Sequence, residues 1–211
     1  MKKLLRILAV LTVLMLCSAP ALASAYEPVS LTAEQRAAAN LFLSNFTEIG
    51  VRSLESYEDD MNLVDFAHDH LWFNDQDSFE YGEYANGNNC RVSNERIQEI
   101  IDKYFYYPRP VDLSQTRFDY VNGYYYHCET GGWTPDGFAY TVSAVQTEID
   151  TYFVSFLIFG GGDYWDNSVM DDSLEEIAER FPYSCGYGSA LIHAEDLSDR
   201  STYKMIAFSR L

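Results

Sequence analysis

Apolar residues recur at helical spacing in three segments of the first half of the chain. We predict a first helix over 31–50, because Thr32 and Gln35 can form a capping box ahead of its apolar face. A second helix is predicted over 62–74 and a third over 93–105, each with one face apolar enough to be buried. The first half of the chain is therefore predicted to be helical, apart from one short strand or hairpin between the second and third helices.

A period of two replaces the helical period from residue 118 onward, and this period is typical of strands. The predicted strands span 118–121, 124–128, 138–145, 152–159, 189–194 and 203–209. The strand over 152–159 is apolar on both faces apart from Ser155, which predicts a central strand covered on both sides. A short capped helix is predicted over 171–181, ahead of the last two strands.

The sequence YVNGYYYHCE at 120–129 is predicted to be a tight hairpin. Asn122 and Gly123 stand between aromatic runs, and both accept the positive φ that a two-residue turn requires. Side chains alternate between the two faces of a strand. The residues after the turn therefore form two sets, with Tyr124, Tyr126 and Cys128 on one face and Tyr125 and His127 on the other. The adjacent His–Cys pair is thereby excluded as a joint catalytic site.

Residues 1–25 have the composition of a secretory signal peptide. A basic start precedes a short apolar stretch, and small residues then permit cleavage after Ala23 or Ala25. The stretch is too short to span a bilayer, so we expect cleavage and no transmembrane anchor. The leucine before Cys17 argues against lipoprotein processing, which needs a small residue there. We predict a secreted or cell-surface protein with a single domain over 26–211.

Acidic residues dominate the charge of the chain. The sequence has 32 Asp and Glu against 14 Lys and Arg, which gives a formal net charge of −18 at pH 7. Such a surface repels nucleic acid and anionic lipid headgroups, so both are excluded as partners. The charge fits either a solvated acidic coat or a cationic partner.

The cysteines and histidines show no metal-binding spacing. Cys90, Cys128 and Cys185 follow the predicted cleavage site, so at most one intrachain disulfide forms, and its pairing is open. His68 and His70 are two positions apart on the predicted second helix, where side chains point apart and cannot chelate one ion. The acidic clusters do not match the EF-hand loop. We therefore predict no metal site and no cofactor.

The order of elements resembles the nuclear-transport-factor-like, or cystatin-type cone, superfamily. The leader, the segments DFAH at 65–68 and IIDKYF at 100–105, and the tyrosine-rich hairpin also look like exported proteins of Gram-positive bacteria. The resemblance implies an α+β fold in which three N-terminal helices pack on a curved antiparallel sheet, cone-like, with one short inserted helix near 171–181. Members of the superfamily include ketosteroid isomerases and dehydratases as well as non-catalytic binding domains, so the fold alone does not assign an activity.

Two polar residues stand at the centres of predicted buried helix faces, Asn45 on the first helix and His70 on the second. Burying them costs free energy unless they are partnered. Either they hydrogen-bond inside the core, or they line a pocket in which His70 carries a proton or binds a ligand. Tyr104 on the third helix is their expected neighbour. The candidate catalytic residues are therefore His70 and Tyr104, and Asn45, His70 and Asn74 are candidate ligand-binding residues.

Aromatic residues near the hairpin form a second candidate surface. Tyr124, Tyr126 and Trp133 can provide flat apolar faces on which a sugar or a peptide stacks. The alternative is that these rings stabilise cross-strand pairs. Both interpretations stay open, and the three residues complete the predicted ligand-binding set.

Cys90 is a candidate nucleophile. Cys90 precedes the start of the third helix, whose dipole lowers the pKa of a thiol, and His127 follows 37 residues later. Catalysis needs a base and an orienting group in the right geometry, and the small residues usual after such a cysteine are absent, since Arg91 and Val92 follow Cys90. The prediction is an exported, non-enzymatic domain that binds a small molecule, a glycan or a protein partner. The alternatives are a lyase or isomerase with a pocket around His70, and a cysteine hydrolase.

Overall fold

The computed structural model describes residues 27–128, 135–160, 167–182 and 184–211. The fold is α+β, as predicted. The α-helices of the described part are α1 (Ala33–Thr47), α2 (Asp60–Asn74), α3 (Asn94–Tyr104) and α4 (Leu174–Arg180). Thr32 and Gln35 form the predicted capping box at the start of α1, which places the first turn of the helix as the sequence indicates.

The strands form two antiparallel sheets. They are β1 (Glu27–Val29), β2 (Ser53–Glu55), β3 (Glu80–Tyr81), β4 (Cys90–Ser93), β5 (Asp119–Val121), β6 (Tyr124–His127), β7 (Gly137–Glu148), β8 (Thr151–Gly160), β9 (Ser184–His193) and β10 (Lys204–Arg210). One sheet has six strands in the order β1-β7-β8-β9-β10-β2, and the other has four in the order β3-β4-β6-β5. The predicted single sheet is therefore wrong in one respect. The β5–β6 hairpin pairs with β4, a strand too short to show a clear period in the sequence.

Three buried polar side chains attach α1 to β7. Each hydrogen-bonds to the backbone of the strand: Asn40 with Thr141, Ser44 with Ala139, and Thr47 with Gly137. The edge strand β1 pairs only with the segment 144–146 of β7. The side chains of α1 therefore satisfy backbone groups on the part of the β7 edge that no strand covers.

Strand β8 is covered on both faces at one end only. Val154 and Ile158 are buried in the main core beneath the helices. On the other face, Phe159 packs in a smaller core with Ile177 of α4. Phe153, near the start of the strand, is 42% exposed, so the predicted two-sided cover of 152–159 is wrong there. Helix α4 is too short to reach the whole outer face of the sheet.

Helix α2 is buried on two sides. Phe66 and His70 contact Tyr104 of α3 within the main core. On the opposite side, His68 and Trp72 pack against His127 of the four-stranded sheet. The helix thus carries one buried histidine toward each of its two neighbours, as the two-residue spacing predicts.

Within the described residues, no helix is long and apolar enough to cross a membrane. The predicted signal peptide, residues 1–25, lies outside the described residues. Cleavage and export therefore stay predictions.

Candidate functional site

Five side chains from three helices meet beside the main core. They are Asn45 and Glu48 at the end of α1, His70 and Asn74 at the end of α2, and Tyr104 at the end of α3, and we call them the Glu48 cluster. Helical spacing explains the local pairing, because residues three or four apart share a face, as Asn45 and Glu48 do and as His70 and Asn74 do.

Asn74 joins the two titratable groups of the Glu48 cluster. Its Nδ2 atom donates to Oε1 of Glu48 at 2.8 Å and lies 3.1 Å from Nδ1 of His70. The same nitrogen donates to the His70 carbonyl oxygen at 3.2 Å, so its second hydrogen is shared between that oxygen and Nδ1 of His70. Where Nδ1 accepts, the proton of the neutral ring is on Nε2. The hydroxyl of Tyr104 donates to Oδ1 of Asn45 at 3.1 Å, which connects α3 to the same cluster.

Burial shifts the protonation of every titratable member of the cluster. It raises the pKa of Glu48 to about 7, against the lowering effect of the Asn74 hydrogen bond. It lowers the pKa of His70 to about 4, and the positive charge of Lys103 adds to this shift. It raises the pKa of Tyr104 to about 12. At pH 7 the histidine and the tyrosine are therefore neutral, and the carboxyl is close to half ionised.

The cluster is closed on its inner side and open at Asn74. His70 is only 5% exposed, with the Phe66 ring stacked at 5.7 Å and the Tyr104 ring edge-on at 4.7 Å. Asn45 is partly exposed and Asn74 is exposed. The Asn74 side chain therefore lies between solvent and the acceptors of Glu48 and His70.

Two cavities lie elsewhere on the molecule. One, of about 500 Å³, lies against the open face of the six-stranded sheet and is lined by Glu55, Glu58 and Phe153. The other, of about 280 Å³, is lined by Asp65 and Arg117 among others. Neither is lined by Asn45, His70 or Tyr104.

The hairpin turn forms as predicted, with φ of 52° at Asn122 and 81° at Gly123. Tyr125 is fully buried, and His127 points with it toward α2. Tyr124 and Tyr126 lie on the other face of the four-stranded sheet and are partly exposed.

The outer face of the four-stranded sheet is an arginine–tyrosine cluster. The guanidinium of Arg91 lies 4.1 Å from the centre of the Tyr124 ring and 5.3 Å from that of Tyr84. The Tyr84 and Tyr126 rings meet edge-on at 5.2 Å, and Arg91 forms an ion pair with Glu80 at 2.6 Å. These contacts cover one face of Tyr124 and correspond to the cross-strand alternative.

The candidate residues therefore fall into two groups. Asn45, His70, Asn74 and Tyr104 meet in one cluster, whereas Tyr124 and Tyr126 are on a different sheet and face away from α2. Trp133 lies outside the described residues. Sequence reasoning missed Glu48, although its position three residues after Asn45 on the same helix would have indicated it.

Other groups in the described residues limit the chemistry. Cys90 and Cys128 are thiols and not parts of a disulfide. No group of three His, Cys, Asp or Glu side chains in the described ranges is arranged to hold a metal ion. The Glu48 cluster, which contains four of the predicted site residues, is the candidate functional site.

No protein family, curated protein or solved structure shows a significant match to this chain.

Proposed function

We propose that this chain is an exported, non-enzymatic domain that binds a small polar molecule at the Glu48 cluster. The observation that carries the proposal is the position of Asn74. Its exposed side chain supplies one amide nitrogen to two buried acceptors, Glu48 Oε1 and His70 Nδ1. A ligand with a stronger donor gains both acceptors by taking the place of that amide.

The chemistry of the site favours a ligand with an ammonium group. Glu48 and the Nδ1 atom of His70 are both acceptors, and the rings of Phe66 and Tyr104 surround the histidine. A cation near Glu48 favours the ionised carboxylate. The net charge of −18 also attracts cations to the surface.

The proposed domain has the cone fold of the nuclear-transport-factor-like superfamily, with the six-stranded sheet as its curved wall. Two features support this. The sheet is antiparallel throughout, and register shifts, which bend strands, occur in the pairs β7–β8, β8–β9 and β9–β10. Helix α1 lies along β7. The four-stranded sheet is then an addition outside the cone. Export rests on the predicted signal peptide at 1–25.

Calorimetric titration of the purified protein with primary amines, amino sugars and neutral monosaccharides tests the proposal. We expect an amine to bind and to release protons at pH 7, because its charge lowers the pKa of Glu48 from about 7. Titrations in phosphate and MOPS, which have different heats of ionisation and contain no primary amine, measure that release. Glu48→Gln should weaken binding at least tenfold, and Glu83→Gln, a change at an exposed loop carboxylate, should not. Equal binding by the Glu48→Gln variant, or no binding of any amine, would contradict the proposal.

A lyase or isomerase is the second candidate, and one observation favours it. Oε1 of Glu48 lies 4.0 Å from Nδ1 of His70, and burial moves their pKa values in opposite directions, which is how proton donors and acceptors are prepared at neutral pH. The measurement is deuterium incorporation from D2O into the carbon acid of a ketone or hydroxy acid, followed by NMR. Exchange that Glu48→Gln abolishes would replace the binding proposal with this one.

A further inference from the structure

A thiol and two imidazoles meet between α2 and the four-stranded sheet, on the side of α2 opposite His70. Cys90 of β4 and His127 of β6 are directly paired in the strand register. Sγ of Cys90 lies 3.1 Å from Nε2 of His127, and Nδ1 of His127 lies 3.1 Å from Nε2 of His68. Behind them, Nδ1 of His68 lies 3.6 Å from Oδ1 of Asp69.

The thiol of Cys90 has two possible acceptors, Nε2 of His127 at 3.1 Å and the backbone oxygen of His127 at 3.4 Å. If the thiol donates to Nε2 of His127, the ring proton of His127 is on Nδ1 and is donated to Nε2 of His68. The proton of His68 is then on Nδ1 and faces Asp69. The carboxylate of Asp69 is held in turn by Arg117 at 2.5 Å. Each ring then fixes the tautomer of the next, and Nε2 of His127, 3.1 Å from Sγ, is left as an acceptor.

Burying the His68 ring in this position costs free energy that an apolar side chain would not. His68 is 2% exposed, and its Nδ1 atom, at 3.6 Å from Asp69, is beyond hydrogen-bond distance of any partner in the described residues. A buried polar atom without a hydrogen bond destabilises a fold. An apolar residue at this position would fill the space without that cost, so the cost points to a role other than packing.

The enclosure selects small reactants. Cys90 is fully buried, and the rings of Trp72 and Phe79 lie edge-on to His127 at 4.7 Å and 5.5 Å. Phe118 stacks on His68 at 3.6 Å. His127, which lies against the thiol, is half-buried, so an approach to the thiol passes along that ring. A thiol that is 0% exposed is closed to an acyl or peptide substrate, so the reactant considered is one close to the size of water.

We propose that Cys90 is a modification site for hydrogen peroxide, with His127 as the general base. The Sγ–H proton passes to Nε2 of His127 as sulfur attacks one peroxide oxygen. The O–O bond breaks, the departing oxygen takes the proton from Nε2 and leaves as water, and Cys90 becomes a sulfenic acid. Sulfur loses two electrons and the peroxide gains them. His68 is a positioning residue that holds the His127 tautomer.

His127 is neutral over the relevant pH range, because burial and the neighbouring His68 lower its pKa to about 4. It therefore accepts a proton at the moment of attack. The site is also independent of the Glu48 cluster, since His68 and His70 leave opposite sides of α2. Loss of ligand binding at Glu48 leaves this reaction untouched, and the reverse also holds.

The test is peroxide oxidation of the purified protein at pH 7, with dimedone trapping and peptide mapping. Cys128 is the internal comparison, because it is exposed. We expect Cys90 to be trapped at least tenfold faster than Cys128 in the folded protein, and faster than Cys90 in the urea-unfolded chain. His127→Gln should reduce the Cys90 rate at least tenfold and leave the Cys128 rate unchanged.

Three outcomes would overturn the proposal. They are slower oxidation of Cys90 than of Cys128, an equal Cys90 rate in the folded and unfolded chain, and a burst of nitrophenol from p-nitrophenyl acetate without sulfenic acid, which would indicate acyl transfer. The first two outcomes are measured on the parent protein, so they can contradict the proposal even if His127→Gln misfolds. NMR of the ring nitrogens tests His68 separately, with an Nδ1–H tautomer expected for His127 and an Nε2–H tautomer contradicting the chain.

Discussion

The carboxyl of Glu48 and the imidazole of His70 lie 4.0 Å apart, on helices that start 27 residues apart at Ala33 and Asp60. An acid and a base at this distance could form an ion pair, yet burial favours the neutral form of both. The stabilising contribution of Glu48 is therefore lost as the pH rises, and that of His70 is lost as the pH falls. Single substitutions distinguish the two groups.

Replacement of Glu48 by glutamine should stabilise the protein at alkaline pH. The folded pKa of about 7 exceeds the ordinary value of 4.5, so the contribution of the neutral carboxyl is complete below pH 4.5 and is lost as the pH rises through 7. A shift of this size corresponds to about 3 kcal/mol. Urea unfolding at pH 8 should show Glu48→Gln to be more stable than the parent by up to that amount, with little difference at pH 4. Glu83→Gln is the control, and equal effects at the two pH values would contradict the assignment.

Replacement of His70 by glutamine should reduce the acid sensitivity of the fold. The folded pKa of about 4 is below the ordinary 6.5, so the neutral ring contributes fully above pH 6.5 and this stability is lost as the pH falls to 4. The total is again about 3 kcal/mol. The free energy of unfolding, measured from pH 7 to 4, should fall less steeply for His70→Gln than for the parent. The half-buried His193 of β9 gives a comparison variant, and an unchanged slope for His70→Gln would show that this ring does not titrate as described.

Replacement of Asn40 by leucine should weaken the attachment of α1 to β7. The side chain is fully buried, its Oδ1 accepts from the Thr141 amide at 2.6 Å, and its Nδ2 donates to the Met170 carbonyl at 3.3 Å. Leucine leaves both backbone groups unsatisfied, at a cost of about 2–4 kcal/mol. Chemical denaturation measures the loss. Ser44→Ala removes one backbone partner and a long donation to the Met170 sulfur at 3.9 Å, and it should cost less, so the reverse order would contradict this account.

Replacement of Gly188 by alanine should disturb the centre of the six-stranded sheet. An added Cβ would lie 2.5 Å from the Phe156 ring and 2.7 Å from the Ser209 carbonyl oxygen, closer than contact allows. Overpacking of this kind costs about 1–3 kcal/mol. Gly82→Ala is the matched control, because its nearest atoms belong to the movable Tyr84 side chain at 3.2 Å. Equal melting temperatures for the two variants would show that β9 shifts without cost.

The local elements followed from the sequence because each depends on neighbouring residues. The helical period and the capping box located α1, and the Asn122-Gly123 turn fixed which residues of β6 share a face. The two-residue spacing of His68 and His70 likewise placed them on opposite sides of α2. The convergence of Asn45, His70 and Tyr104 followed from their positions on three apolar faces that share one core.

The pairings between distant segments were decided only by the tertiary structure. Nothing within residues 90–93 indicates that β4 pairs with β6, and this pairing is what brings Cys90 to His127 and removes the hairpin from the larger sheet. Burial likewise decided the chemistry of Glu48, because a carboxyl changes its pKa only where water is excluded. The sequence alone thus determined the helices, the hairpin turn and the faces of the strands, which depend on local backbone geometry. Strand partners, the membership of each cluster and the protonation of its groups depend on contacts between segments far apart in the chain, and these exist only in the folded protein.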